Sequence, residues 1–299
     1  MEFGTGSVWP TPEARIRLLD IYDRRLALWP VDFEEHDVVT GLGRTHVISA
    51  GRAAAPPLVM LHPAGVPGFV WRPVIAPLAE RFRVYCLDTI GDVGRSELTD
   101  PLRHPRSGPE YATWLGEVCD GLRIDAANFV AASMGGWIAL HFAADAPARV
   151  RRLALLGPMG LSSWPATLYV LVRLFSITLW PSPRKKERLI AWAVGESTRV
   201  KDDVVEWMAA VIDTGCKPRL GNPLPVPAQR LRAITARTLV VLGGRDRPVG
   251  NPHAVAQRAL AHLRGAEIEL LPDSGHAMSV DAPDAVVRRL LAFFAGAQQ

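Results

Sequence analysis

Along most of this chain, short apolar runs alternate with longer stretches of helical spacing, and this alternation limits the possible folds more than any other feature. A short apolar run fits a strand buried on both faces, and the helix that follows returns the chain to the same end of the sheet. The sequence therefore predicts an α/β fold, with a mostly parallel twisted sheet flanked by helices. An opening hairpin is expected at residues 38–39 and 45–49, followed by buried parallel strands at 58–61, 83–87, 129–132, 152–156, 238–242 and 267–271. The expected helices are 70–79, 111–122, 135–144, 254–263 and 282–295.

The alternation breaks between residues 157 and 228, where several helical segments lead into a proline-rich passage. We interpret residues 157–228 as a helical cap inserted into a core made of residues 38–156 and 229–299. Residues 1–37 are interpreted as an N-terminal helical extension. Its apolar side chains would pack either on the core or on a neighbouring molecule.

The cap contains a stretch, residues 166–180, that is apolar on nearly all sides. It is shorter than the roughly 18 residues that a membrane span needs, and Arg173 lies in its middle. We therefore expect a lid over a site instead of a membrane contact. A lid with the aromatic residues of this stretch, and with one just before it, favours apolar substrates. These residues are Trp164, Tyr169, Phe175 and Trp180.

Composition excludes several functional classes. The net charge of +4 arises from 34 basic and 30 acidic residues along the chain, and the basic cluster at residues 184–188 fits a solvated helix face, so no nucleic-acid partner is expected. The absence of a spanning run and of an apolar signal core predicts a soluble, cytoplasmic protein. Cysteines and histidines lack ligand spacing, and no phosphate-binding or dinucleotide loop is present, so neither metal nor cofactor is expected. The oligomeric state stays open.

Ser133 lies where an apolar run becomes a helix, in the segment NFVAASMGGWIAL. A serine at a sharp strand-to-helix turn takes a strained backbone conformation that only small neighbours permit. Ala131 and Gly135 are small, although alanine replaces the first glycine of the usual G-x-S-x-G pattern. The N-terminus of the following helix would stabilise a negative oxygen beside the hydroxyl. Ser133 is therefore a candidate nucleophile, and a capping serine at an ordinary helix start is the alternative.

A serine hydroxyl needs a base within reach and a group that orients the base. His276 lies in a polar loop after the last predicted strand, and Asp246 lies just past the end of the strand before it. Because the carboxyl ends of parallel strands meet at one edge of the sheet, both side chains are expected near Ser133. Asp273 and Asp281 are rival acids for the orienting role.

The loop after the first buried strand reads His62, Pro63, Ala64, Gly65. The backbone N–H groups of Ala64 and Met134 are the expected donors to the negative oxygen of a tetrahedral intermediate, which makes an oxyanion hole. Pro63 would fix the loop backbone. His62 could be mistaken for the base, but its place before the loop predicts a structural hydrogen bond.

The segments around these residues resemble the α/β-hydrolase superfamily from about residue 38 to the end, and the order serine, aspartate, histidine is the one that this superfamily shows. The segment DTIGDVGRS, residues 88–96, is one residue longer than the common loop of the superfamily. With YATWLGEVCDGL at residues 111–122, it resembles small bacterial carboxylesterases of the Bacillus type. Asp88 and Asp92 in the longer loop are expected to make loop hydrogen bonds.

The resemblance implies hydrolysis of carboxylic esters of moderately apolar small molecules through an acyl-enzyme. Ser133 would be the nucleophile, His276 the base and then the acid, and Asp246 the group that orients His276. Two alternatives stay open. The same triad could act on a carbon–carbon bond, a thioester or a lactone, or the fold could serve a non-hydrolytic ligand-binding or cyclase role in a biosynthetic pathway.

Overall fold

A computed structural model of the chain describes residues 7–162 and 203–296, together with residues 184, 187, 190 and 191. The strands in this part of the chain are β1 (Phe33–Thr40), β2 (Gly43–Ala50), β3 (Pro57–Leu61), β4 (Arg83–Leu87), β5 (Glu97–Leu98), β6 (Ala127–Ala132), β7 (Val150–Leu156), β8 (Arg237–Gly243) and β9 (Glu267–Leu271). The helices are α1 (Pro12–Leu26), α2 (Arg72–Ala79), α3 (Gly108–Gly121), α4 (Met134–Asp145), α5 (Asp203–Thr214), α6 (Ala228–Ala233), α7 (Pro252–His262), α8 (Met278–Asp281) and α9 (Pro283–Ala295).

The described strands form one sheet in the order β1-β2-β4-β3-β6-β7-β8-β9, with β5 beside β2. From β4 to β9 along this order, neighbouring strands run parallel, whereas β1 and β2 pair antiparallel, as the sequence predicts. The chain reverses its direction of travel across the sheet between β3 and β6. Ligands bind at such a switch point in open α/β sheets, so the loops after β3 and β6 border the expected site.

Apolar side chains fill both faces of the sheet. One buried cluster joins α2 and α9 to one face through residues such as Val74, Leu78 and Leu290. A second cluster joins α3, α4 and α7 to the other face through residues such as Leu115 and Ile138. The central strands are therefore covered on both sides, and this explains why they read as uninterrupted apolar runs.

The sheet departs from the prediction at its two ends. β1 begins at Phe33, where it pairs with Ala50, so the first strand starts before residue 38. The burial predicted for residues 267–271 is wrong, because among the described strands β9 lies at the edge of the sheet beside β8, and its side chains are only partly covered. β5 was not predicted, since a strand of 2 residues is too short to give a pattern.

The N-terminal helix packs on the core of its own chain. Thr11 caps α1 by accepting the Ala14 N–H at 3.1 Å, and Leu18 and Tyr22 on its inner face are fully buried. Both belong to the apolar cluster that covers the sheet. Ile16, on the outer face, stays 67% exposed.

None of the helices that the structure describes is long and apolar enough to cross a membrane. The predicted lid residues Trp164, Tyr169, Phe175 and Trp180 lie outside the described residues. The cap boundaries at 157 and 228 therefore stay a prediction, and α5 is the long helix described within that segment.

Two substitutions in α1 test its packing. Leu18→Ala should lower the free energy of unfolding by about 2–5 kcal/mol, because it leaves a cavity in a filled core. Ile16→Ala, in the same helix but exposed, should change it by less than about 0.5 kcal/mol. Urea unfolding followed by circular dichroism measures both, and equal effects of the two substitutions would contradict this packing.

Candidate active site

Ser133 forms a strained turn between β6 and α4. Its backbone has φ 50° and ψ −114°, a left-handed conformation that is unusual for a residue with a side chain. The Ser133 N–H donates to the Leu156 carbonyl at 3.0 Å, and the Ser133 carbonyl accepts the Met159 N–H at 3.0 Å. The turn is thus tied to the end of β7 on both sides of the serine.

The glycines after Ser133 permit a close approach of the β3 loop. A Cβ on Gly135 would lie 2.5 Å from the Leu61 carbonyl oxygen, and one on Gly136 would lie 2.8 Å from Pro158 Cβ. Both distances are too short for a side chain. The end of β3 therefore rests directly on the first turn of α4, and the loop containing Ala64 begins at that point.

His276 and Asp246 form a hydrogen-bonded pair at the same edge of the sheet. His276 Nδ1 lies 2.9 Å from Asp246 Oδ1 and 2.9 Å from Asp246 Oδ2. A carboxylate only accepts, so Nδ1 carries the proton and Nε2 of a neutral ring is left as an acceptor. Asp246 is 3% exposed, and it also accepts the Val249 N–H at 3.0 Å.

The two rival acids have other partners. Asp273 is exposed and pairs with Arg245 at 2.8 Å. Asp281 accepts the Gly275 N–H at 2.9 Å. Asp246 is therefore the carboxylate that meets His276. Among the described side chains, no group of three or more His, Cys, Asp and Glu residues could hold a metal ion.

The electrostatic environment of His276 favours its charged form. Burial by itself would lower the pKa of the ring, but the charge and hydrogen bond of Asp246, with the charge of Asp281, raise the pKa above its usual value. An imidazolium formed at this position is therefore stabilised. Such a ring is suited to take up a proton and later release it.

No hydrogen bond joins the Ser133 hydroxyl to the His276 ring among the contacts of the described residues. Catalytic hydrogen bonds are often long in ligand-free enzymes and tighten when substrate binds. The ligand-free structure therefore contains the hydrogen bond between His276 and Asp246, with Ser133 at the same edge of the sheet.

His62 is locked by two hydrogen bonds, as expected for a structural residue. Its Nε2 accepts the Thr89 N–H at 2.8 Å, so its Nδ1 carries the proton and donates to the Pro63 carbonyl at 2.8 Å. Both ring nitrogens are occupied. His62 is therefore not available as a general base.

The two acidic residues of the loop after β4 make the backbone hydrogen bonds predicted for them. Asp88 accepts the N–H groups of Gly68 and Arg95, each at 2.8 Å. Asp92 accepts the Gly65 N–H at 2.8 Å and the Val93 N–H at 2.7 Å. Burial raises the pKa of the Asp92 carboxyl, although these N–H groups and nearby His62 oppose the shift.

The Ala64 N–H donates to no group among the described residues. Met134 is the first residue of α4, so its N–H has no acceptor within the helix. The Met134 N–H therefore lies at the Ser133 turn, and the Ala64 N–H lies in the loop that follows β3.

Known proteins share this arrangement of strands and loops. Residues 58–289 match the sequence profile of the alpha/beta hydrolase family. The chain belongs to this family. The hydrolase is 28% identical over 291 residues to carboxylesterase YbfK of Bacillus subtilis, covering 95% of this chain and 95% of that protein.

Two further relatives of the hydrolase differ in the names they carry. Naproxen esterase (carboxylesterase NP) of Bacillus subtilis has a crystal structure that matches with a TM-score of 0.86 at 27% identity, covering 98% of this chain and 100% of that one. The 2-hydroxymuconate semialdehyde hydrolase of a Pseudomonas species is 30% identical over 260 residues, or 78% of this chain and 84% of that protein. The fold and the resemblance to Bacillus carboxylesterases are confirmed.

Sequence reasoning missed Gly157, the residue after β7 in this hydrolase. Its φ is 50°, and a Cβ there would lie 2.6 Å from Asp246 Oδ2 and 3.3 Å from His276 Nδ1. Leu156, just before it, accepts the Ser133 N–H. Gly157 therefore makes room for the acid and base beside the serine turn. A glycine directly after an apolar strand was the available signal.

Gly157→Ala should displace Asp246 and weaken its hydrogen bond to His276, which would lower the pKa of the ring. A histidine titration by NMR measures this pKa. Gly265→Ala is the matched control, because Gly265 also has a positive φ of 62° but nothing within 4 Å of an added Cβ. Both variants carry the backbone strain, and a His276 pKa that is unchanged in both would contradict this role of Gly157.

Proposed function

We propose that this hydrolase cleaves carboxylic esters of moderately apolar small molecules through an acyl-enzyme on Ser133. The observation that supports the proposal most is the strained Ser133 turn at the same sheet edge as His276 and its buried partner Asp246. The carboxylesterase names of two relatives support the choice of an ester bond.

In the first half of the reaction, the Ser133 hydroxyl oxygen attacks the carbonyl carbon of the ester while His276 Nε2 accepts the hydroxyl proton. The Asp246 carboxylate holds the ring by Nδ1 and stabilises the imidazolium. The alcohol leaves with the proton that His276 returns to it. The product of this half is an ester between Ser133 and the acyl group.

In the second half, water attacks the acyl-enzyme, and His276 accepts its proton. The carboxylic acid departs as His276 returns the proton to the Ser133 oxygen. In both halves, the N–H groups of Ala64 and Met134 would bind the negative oxygen of the tetrahedral intermediate. Removing one such donor typically costs about 10²- to 10³-fold in rate.

The preference for apolar esters rests on the aromatic composition of the predicted lid, residues 164–180. A cytoplasmic location is part of the same proposal. It is supported by three free cysteines that are all buried and unpaired, since disulfides are rare in that compartment.

One relative favours a second candidate, hydrolysis of a carbon–carbon bond, because it is named a 2-hydroxymuconate semialdehyde hydrolase. The same serine, base and acid would serve. A panel of p-nitrophenyl esters, thioesters, lactones and vinylogous diketones separates the candidates. Faster turnover of the esters supports the first, and faster turnover of the diketones supports the second. Silence towards a fluorophosphonate probe would support a non-hydrolytic role.

Ser133→Ala should reduce the hydrolysis of short p-nitrophenyl esters by about 10⁶-fold, because the nucleophile is lost. Covalent labelling by the fluorophosphonate should disappear with it. Thermal unfolding should show an unchanged midpoint, which confirms that the fold is intact. Turnover at the wild-type rate would rule out Ser133 as the nucleophile.

The pH dependence of kcat/KM tests the base. Neutral His276 is the active form, so activity is lost as pH falls through its pKa, and the raised pKa places this loss above the usual histidine value of about 6.5. Asp246→Asn should lower kcat by about 10⁴-fold and move the acid limb to lower pH, because the charge that raises the pKa is gone.

Asp273→Asn is the control for the pH experiment, since Asp273 is 88% exposed and pairs with Arg245. It should leave both kcat and the acid limb unchanged. Equal changes in kcat and in the acid limb for the two variants would show that the charge of Asp246 does not set the pKa of His276.

A further inference from the structure

Buried side chains hold Gly65 on both sides. Its N–H donates to Asp92 Oδ2 at 2.8 Å, and its carbonyl accepts the indole N–H of Trp207 at 2.8 Å. Asp92 is 2% exposed and Trp207 is fully buried. Each bond therefore has one partner that is shielded from water.

These bonds matter because of where Gly65 lies. It directly follows Ala64, and its φ of 77° is open to glycine but strained for other residues. Glycine leaves the backbone more freedom than any other residue, so the loop position has to be set by its partners. The peptide group between Pro63 and Ala64 is also held by a hydrogen bond, because the Pro63 carbonyl accepts the Nδ1–H of His62. The Ala64 N–H shares one planar peptide group with the Pro63 carbonyl. The two hydrogen bonds of Gly65 hold the next two peptide groups, so together these bonds limit how the backbone can turn at Ala64.

Trp207 is itself firmly placed. Its ring meets Phe69 edge to face with the centroids 5.3 Å apart, and Tyr22 of α1 with the centroids 6.3 Å apart. Glu206, next to it on α5, pairs with Arg24 at 3.0 Å and with Arg25, both on α1. Trp207 therefore joins α1 and α5 to the loop that follows β3.

We propose that Trp207 and Asp92 are positioning residues that aim the Ala64 N–H at the oxyanion, by holding the carbonyl and the N–H of Gly65. The inference rests on the proposed function, since it needs Ala64 to be an oxyanion donor. Trp207 touches neither substrate nor the reacting atoms in this role. It acts through Gly65, and it makes the geometry of the oxyanion hole depend on a helix between β7 and β8.

The decisive variant is Trp207→Phe, which removes the indole N–H and keeps a buried aromatic ring against Phe69 and Tyr22. Its matched control is Trp114→Phe. Trp114 is 1% exposed, and its indole N–H donates to Thr45 Oγ1 at 2.8 Å, on α3 and β2. Each variant loses one buried indole hydrogen bond of the same length, so both should lose stability by a similar amount.

The two variants should differ in kinetics. The oxyanion exists only in the transition state and the intermediate, so Trp207→Phe should lower kcat and kcat/KM equally, by about 10- to 100-fold, with KM unchanged. Binding of a trifluoromethyl ketone, which forms a tetrahedral adduct on the serine, should weaken by the same factor. The pH of the acid limb should not move, because His276 keeps its partners. Trp114→Phe should leave all these quantities at the wild-type values.

Asp92 gives a second arm of the experiment. Asp92→Ala removes the acceptor of the Gly65 N–H and should also lower kcat without raising KM. Asp92→Asn keeps an oxygen that can accept this N–H, so it should recover most of kcat. The double variant Trp207→Phe, Asp92→Ala should lose less than the product of the single losses, because both act on one loop.

The outcomes separate this inference from the proposed function. Wild-type kcat in Trp207→Phe, with Ser133→Ala inactive, would overturn the positioning role and leave the esterase intact. Equal kinetic losses in Trp207→Phe and Trp114→Phe would also overturn it, since they would report general destabilisation. Full turnover in Ser133→Ala would instead remove the proposed function itself.

Discussion

The left-handed backbone of Ser133 is the constraint on which the rest of the site depends. A non-glycine residue in such a conformation costs about 1–3 kcal/mol and persists only where its surroundings permit no other. Here the end of β7 bonds the serine through Leu156 and Met159, and Gly135 lets the end of β3 press on the first turn of α4. The strain is offset by the packing of the sheet, and it holds the hydroxyl at the sheet edge where the acid and base lie.

Three buried carboxylates at this edge hold other groups in place. Burying a carboxylate is costly unless its oxygens accept hydrogen bonds, and each of the three accepts at least two. Asp88 and Asp92 bind backbone N–H groups on the side of the β3 loop, and Asp246 binds Val249 and His276. These hydrogen bonds hold the loops in one arrangement before substrate arrives, and stabilisation of an oxyanion in the proposed mechanism requires such preorganisation.

Much of this could be predicted from sequence because its signals are local. A central strand is apolar along its whole length, which makes it visible in the sequence. Ser133, Asp246 and His276 each follow a predicted strand within a few positions. Their meeting at one edge of the sheet could therefore be predicted from the order of strands and residues along the chain. The missed features are contacts between distant segments. Trp207 meets Gly65 across 142 positions of the chain, and Gly157 must be glycine because of Asp246 and His276, which lie far along the chain. The partner of α1 could not be chosen either, since an amphipathic pattern shows which face is buried but not against what.

Helix α1 packs against the same aromatic side chains that support the loop after β3. Tyr22 on its inner face meets both Phe69, just after the loop that follows β3, and Trp207 on α5. A segment outside the sheet thus belongs to the same buried cluster as the support of Gly65. Protein interiors are close-packed and transmit strain. A cavity opened under α1 at Tyr22 should therefore shift Trp207, and through Gly65 it should displace the Ala64 N–H. In the proposed mechanism, stability and catalysis therefore share side chains.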